Sequence, residues 1–373
     1  MPGKIDALLD KKLENIKWGE YKIEDVLQWR SQKEIDPLKL DELKDDTEKK
    51  YPFYGQSTTN NGIINYHQLV NKVLNNIDGR PTILIHSNNQ SIAYLETPFY
   101  LKDGHGATSV LQCEKLNRMN QMFIVGSIDR VIKSKYSYNQ KATKIELKNT
   151  VISLPTRNGD IDLEFMESFI GELEADRMVR LNQYLVSTGL NDYELTESEK
   201  QALVDLEKGK VNWSEFNLET LFGKATRGRR LKSEDRISGT LPFVTAGESD
   251  EGISAFIGNE VIVFPKNTTT IDMFGSAKYR NYSYGGDDHI AVVHTEDLAQ
   301  FTSIFVTTAI HKTAYNGQFN YGRNFYAKDA DDLNIQLPLS GSQPDYDLME
   351  TLISAVQKMA IKGVVEYVQA KSF

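Results

Sequence analysis

Two kinds of side chain in this sequence are grouped so that they could hold or read a nucleic acid. In the second half Arg227, Arg229 and Arg230 cluster in a glycine-containing stretch with Lys232 beside them, and Lys278, Tyr279, Arg280 and Tyr282 form another group. A guanidinium is a rigid fork of donors that fits a phosphate or takes guanine O6 and N7 together. The first half supplies amides instead: Gln56, Asn60, Asn61, Asn88, Asn89 and Gln90. Their adjacent donor and acceptor suit an adenine edge, and Lys133, Lys135 and Lys141 suit phosphate. Two aromatic-polar runs accompany these groups, one carrying Lys135, Tyr136, Tyr138 and Lys141, the other Tyr321 and Arg323. Any one of these residues fits an ordinary solvated surface, so the clusters carry the reading.

Catalytic chemistry has less support. A methyltransferase acting on an exocyclic amine needs an acid or amide followed by two prolines and an aromatic ring; the nearest stretch, Thr97-Pro98-Phe99-Tyr100, has one proline and no acid or amide. No glycine-rich phosphate loop of the nucleotide-hydrolase type occurs. Gly285-Gly286-Asp287-Asp288 is an acidic turn without a further acidic partner at a definable spacing, and His105 and His289 read as hydrogen-bonded structural residues. With one cysteine, Cys113, and six scattered histidines, neither a disulfide within the chain nor a zinc site is expected. No cofactor is expected either. The net charge of -9 argues against indiscriminate binding to nucleic acid but leaves room for local basic surfaces. No apolar run has the length of a membrane helix, and the N-terminus enters a charged helical pattern without a signal-peptide core, which points to a cytoplasmic protein.

The elements that must position these residues occur twice. Leu154, Pro155, Asp162, Met166, Glu167 and Ile170 fall on Leu337, Pro338, Asp345, Met349, Glu350 and Ile353 at one constant offset. Upstream, Trp18-Gly-Glu-Tyr-Lys-Ile23 resembles Trp213-Ser-Glu-Phe-Asn-Leu218, and each follows a short helical pattern. The first of these helices is expected over Ile5–Ile16; the second opens with the capping-box sequence Thr196-Glu-Ser-Glu199. Between these anchors, Pro52-Phe53 with Gly62 and Tyr66 matches Pro242-Phe243 with Gly252 and Phe256, each glycine marking a turn that needs positive φ. Strand-like runs, including Thr82–His86, Ile92–Leu95, Val261–Phe264 and Ile290–Val293, give way to helical spacing around Met119–Ile128 and Phe301–Ile310. After each Leu-Pro a short polar loop is expected, then an aspartate-capped helix of about 25 residues. Phe165, Phe169, Leu173, Met178 and Leu181 form the apolar stripe of the first long helix, and Leu348, Leu352, Val356 and Met359 that of the second; the stripes could pack on their own domains or on each other. The fold class is mixed α/β with an internal pseudo-twofold repeat. The halves agree at turns and helices and differ in polar side chains, as expected of one scaffold serving two recognition tasks.

That order of tryptophan segment, Pro-Phe with a turn glycine, aromatic-polar run, Leu-Pro and Asp-x-x-x-Met-Glu helix, given twice, resembles the DNA-specificity subunit of Type I restriction-modification systems. The resemblance implies residues 1–16 as an N-terminal helix, 17–155 and 211–338 as target-recognition domains, 156–210 as a spacer helix with a short helix, and 339–373 as the C-terminal spacer helix, the long helices forming an antiparallel coiled coil. It further implies that each domain reads half of an asymmetric, bipartite site in double-stranded DNA. The subunit would be non-catalytic, positioning two adenine methyltransferase subunits and, through them, restriction and translocase subunits. A two-domain scaffold that binds only protein, and the specificity subunit of a related compact restriction-modification system, stand as alternatives.

Overall fold

The computed structural model describes residues 7–137 and 139–371. The chain divides into two compact units, the first ending at Leu181 and the second beginning at Asn182. The longer helices are α1 (Ala7–Glu14), α2 (Arg118–Lys135), α3 (Leu163–Ser187), α4 (Glu197–Glu207), α5 (Gln300–Ala314) and α6 (Tyr346–Lys371). Of the helix expected over Ile5–Ile16, residues 5 and 6 lie outside the described residues. No helix among the described residues is long and apolar enough to cross a membrane.

The first strand of each unit is its tryptophan strand. Trp18–Lys22 pairs antiparallel with Val151–Arg157, placing Trp18 opposite Pro155 and Tyr21 opposite Ile152. In the second unit Trp213–Asn217 pairs with Asn334–Ser340 in the same register, Trp213 opposite Pro338 and Phe216 opposite Ile335. Alternation along the strand fixes that register: Ile152 and Leu154, like Ile335 and Leu337, are fully buried, and a slip by one residue would turn both to solvent. The polar loop expected after each Leu-Pro is instead strand. Val151–Arg157 continues past the proline, turns at Asn158-Gly159 and pairs with Asp160–Ile161, and the second unit repeats this with Gln343–Pro344. The aspartates then cap the long helices as expected: Asp162 Oδ1 accepts the Phe165 N–H at 3.0 Å, and Asp345 Oδ1 the Leu348 N–H at 3.0 Å.

Two four-stranded sheets make up each body. In the first unit Thr82–His86 is central to an antiparallel sheet ordered Gln28–Arg30, Thr108–Gln112, Thr82–His86, Ile92–Leu95; the second unit repeats the order with Thr226–Arg227, Ile290–Val293, Thr268–Asp272 and Ala277–Arg280. In the other sheet Tyr51–Tyr54 lies between antiparallel Ile63–His67 and parallel Tyr100–Lys102, matched by Ser238–Val244 between Ile253–Ile257 and Tyr284–Gly286. Its remaining strand differs between the units. Glu34–Ile35 adds parallel in the first, while Val263–Phe264, all that pairs of the strand expected over Val261–Phe264, adds antiparallel in the second. The frame is thus repeated, and one sheet edge is taken from a different part of the chain.

The cores follow the same plan. Ile124, Ile128 and Ile132 of α2 pack with Ile83, Ile85, Leu111, Ile152 and Leu154; Val306, Ile310 and Ala314 of α5 pack with Ile271, Val293, Ile335 and Leu337. Trp18 stacks on Phe123 and Trp213 on Phe305, each with ring centroids 6.3 Å apart. Of the first stripe, Phe165, Phe169 and Leu173 belong to the first unit's own core, where both phenylalanines meet Phe123 edge-on, and Met178 and Leu181 are half-buried. The second stripe needs correction. The buried face of α6 runs through Met349, Leu352 and Ala355, whereas Leu348 is half-buried and Val356 and Met359 are more than half exposed. Leu352 is common to both faces, and on either side of it Met349 and the small Ala355 fill the face that the larger Leu348 and Val356 suggested, since one residue turns a helix by about 100°.

Candidate nucleic-acid interface

At one edge of each unit the loops that connect the repeated strands converge. In the first unit the loop after Tyr54 is closed by the Gly55 N–H donating to Gly62 O at 2.9 Å, the loop after His86 receives the Ala142 N–H on Ser87 O at 3.1 Å, and the Ser87 N–H donates to Ala107 O at 2.8 Å. The second unit repeats the first two joints with other residues and has a different third one. Thr245 N–H donates to Gly252 O at 2.8 Å, Phe325 N–H to Met273 O at 2.9 Å, and Arg229 N–H to Gly286 O at 2.9 Å, the last drawing the arginine loop to the same edge. These are backbone bonds, so the joint survives when side chains change. Loops held by a rigid sheet are where recognition residues can diverge without cost to the fold.

The first unit's edge is an amide surface. Asn88 donates to Gln56 Oε1, Asn89 Nδ2 donates to Gln56 O at 3.1 Å, and Asn89 Oδ1 accepts from Ser91 N–H and Oγ. Asn60 and Asn61 are exposed, and Asn60 Nδ2 reaches Ile63 O at 3.2 Å. The structure therefore gathers Gln56, Asn60, Asn61, Asn88 and Asn89, with exposed Lys141 one residue before the Ala142 joint. Gln90 is buried and turned inward to Ser87 O. Lys133 pairs with Asp129 one helical turn back at 2.8 Å, and Lys135 lies over the Tyr136 ring. Tyr136, expected at a surface, is core: its hydroxyl bonds Thr150 Oγ1 at 2.8 Å inside the cluster that contains Ile132. Tyr138 lies outside the described residues.

The second unit's edge is cationic and aromatic. Arg227, Arg229 and Arg230 are exposed or near the surface, and among the described residues none of their guanidiniums has an ion-pair or hydrogen-bond partner; Lys232 stands 3.8 Å from Glu234. Tyr321 is 86% exposed and packs edge-on against Phe274, and Arg323 is held by Asp329 and the Phe319 ring. Lys278 bonds Ser276 Oγ at 2.8 Å and lies 3.3 Å from Glu248. Tyr279 donates to Asn267 Oδ1, and Tyr282 is half-buried. Arg280, expected as a surface group, is 1% exposed: Nε donates to Thr270 Oγ1 and Nη1 to Tyr282 Oη, both at 2.9 Å. It supports the sheet from beneath, because its strand position faces the core, a direction that loop spacing does not reveal.

Two further polar features accompany the edges. His86 ends the central strand of the first unit, and burial pushes its imidazole down to about 4; Nδ1 is 2.9 Å from Thr108 Oγ1, while Nε2 is buried and has no hydrogen-bond partner among the described residues. Asp287, Asp288 and His289 bring their ligand atoms within 4.8 Å of one another, so the acidic turn and the histidine read separately in the sequence are one group. Burial and the neighbouring Asp288 charge raise the Asp287 carboxyl.

A family model described as the Type I restriction modification DNA specificity domain matches residues 15–183 and again residues 210–367. The Type II restriction enzyme BgcI specificity subunit of Heyndrickxia coagulans is 23% identical over 255 residues, covering 67% of this chain and 70% of that protein. The crystal structure of the S subunit of a Type I restriction-modification system from M. genitalium shares the fold, with a TM-score of 0.58 at 14% identity over 96% of this chain and 92% of that one.

Proposed function

The chain belongs to the family of Type I restriction-modification DNA specificity subunits, and from that premise we propose that the two loop edges each read one half of an asymmetric, bipartite site in double-stranded DNA. The protein is the non-catalytic, sequence-specifying part of a Type I restriction-modification system. One observation carries the proposal: two backbone joints recur in both units, and the edge they frame carries amides in the first unit and an unpaired arginine cluster, drawn in by its own Arg229–Gly286 bond, in the second. Equal frames with unlike chemistry are suited to unlike base edges, amides to adenine and guanidiniums to guanine or phosphate. In this reading residues 17–155 and 211–338 are the target-recognition domains, and α3 and α6 act as the spacer between half-sites. Two adenine methyltransferase subunits take their position from the chain, and restriction and translocase subunits join through them.

Binding of the full chain, alone and with its methyltransferase, to duplex DNA across a salt series tests this. Log affinity should fall linearly with log salt, with a slope of about -0.9 per phosphate neutralised. A chain that binds the methyltransferase but shows no salt-linked affinity for duplex DNA would be the protein-binding scaffold instead.

A further inference from the structure

Each unit carries, at its loop edge, three successive residues in the left-handed region: Asn60, Asn61 and Gly62 with φ of 49°, 51° and 81°, and Asp250, Glu251 and Gly252 with φ of 48°, 55° and 80°. Both turns follow a register shift in the preceding strand, between Phe53 and Tyr54 and between Phe243 and Val244. The third position is glycine for cause in the second unit, since a Cβ on Gly252 would stand 2.7 Å from Thr245 O. The first two positions are not glycine in either copy. Asparagine and aspartate tolerate this conformation; glutamate has no such ease, and the turn would be less strained with glycine or asparagine at position 251. Both side chains are exposed, and among the described residues the carboxylates of Asp250 and Glu251 make no hydrogen bond or ion pair, so the choice of these two side chains gains nothing within the protein. Strain of that kind gathers at sites that act on something else.

Resting on the reading of these edges as DNA-facing, we propose that the two turns are equivalent base-reading fingers and that Asp250 and Glu251 help set the base preference of the second unit. An ionised carboxylate only accepts hydrogen bonds, so it suits the exocyclic amino groups of cytosine and adenine and rejects guanine O6 and N7. Asn60 and Asn61, each with donor and acceptor, suit a different set of edges from the same position. The unpaired arginines that share the second edge offset the repulsion between these carboxylates and the phosphates.

The test selects binding sites from randomised duplex DNA with the full chain and its methyltransferase, comparing wild type, D250N/E251Q and N60D/N61D. Asparagine and glutamine keep the turn's shape and remove the charge, and thermal melting checks that each variant folds. D250N/E251Q should relax or change the preference at one or two positions of one half-site by about tenfold. N60D/N61D should alter the other half-site only. If wild type selects a bipartite site and D250N/E251Q keeps the same preference at every position, this proposal is wrong while the recognition reading stands. If wild type selects no sequence at all, the recognition reading fails and takes the proposal with it.

Discussion

Gly228 is the residue on which the second unit's arginine cluster depends for its position. Its N–H donates to Ile290 O at 3.3 Å, the next N–H, that of Arg229, donates to Gly286 O at 2.9 Å, and a Cβ at Gly228 would lie 1.9 Å from Gly286 O. The obstacle is backbone in a buried strand, so Gly228→Ala must lift the loop. Breaking two backbone hydrogen bonds removes about 1–3 kcal/mol, and the overpacking adds about 1–3 kcal/mol. Stability of the second unit should therefore fall by about 2–6 kcal/mol, with the first unit unaffected. Displacing Arg229 and Arg230 together should cost the second half-site about 1–3 kcal/mol for each bidentate arginine–base pair that is broken, roughly five- to 150-fold in affinity for one such pair. Gly126→Ala serves as control, because nothing lies within 4 Å of a Cβ there and it sits in α2. Binding is assayed on duplexes with either half-site scrambled, alongside thermal melting. A folded Gly228→Ala protein that loses equally at both half-sites, or at neither, would refute the reasoning.

Glu199 caps α4 through the Thr196 capping box and joins α4 to α6 by accepting from Ser354 and Lys358. Burial alone would raise its carboxyl, but those hydrogen bonds hold it at about 2, against an ordinary 4.5. A depressed folded value stabilises above the unfolded one, so about 3 kcal/mol is present near neutral pH and is lost as pH falls from 4.5 toward 2. Chemical denaturation should show Glu199→Gln weaker than wild type at pH 7, with the gap closing below about pH 4; a constant gap would exclude the linkage. Arg280→Met should lower the melting temperature yet leave the salt slope of DNA binding unchanged, since the guanidinium is core. Arg230→Ala should do the reverse, reducing the slope by about 1, and the opposite pattern would return Arg280 to the interface.

What the sequence disclosed was whatever the backbone dictates. The turn glycines at 62 and 252, the aspartate caps at 162 and 345 and the buried alternation of Ile152 and Leu154 each follow from a local rule, and each stands in the structure where its residue type requires. Side-chain direction was not legible. Arg280 and Tyr136 carry polar groups and lie in polar-looking stretches, yet the one on its strand and the other just past the end of α2 point inward, where each bonds hydroxyl partners. Val356 and Met359 are exposed, and Met349, Leu352 and Ala355 hold the buried face of α6 that large apolar residues alone suggested. Asp250 and Glu251 align with Asn60 and Asn61 beside a matching glycine, and the shared left-handed dihedral angles give that alignment its physical meaning.

Genome-wide mapping of adenine methylation, in cells expressing the chain with its methyltransferase, tests most directly whether the two units read two different half-sites. Wild type should give one motif of two unlike halves separated by a fixed unread gap, and Arg229→Ala/Arg230→Ala should degrade one half while leaving the other intact. A single uninterrupted motif, or degradation of both halves by that variant, would contradict the account.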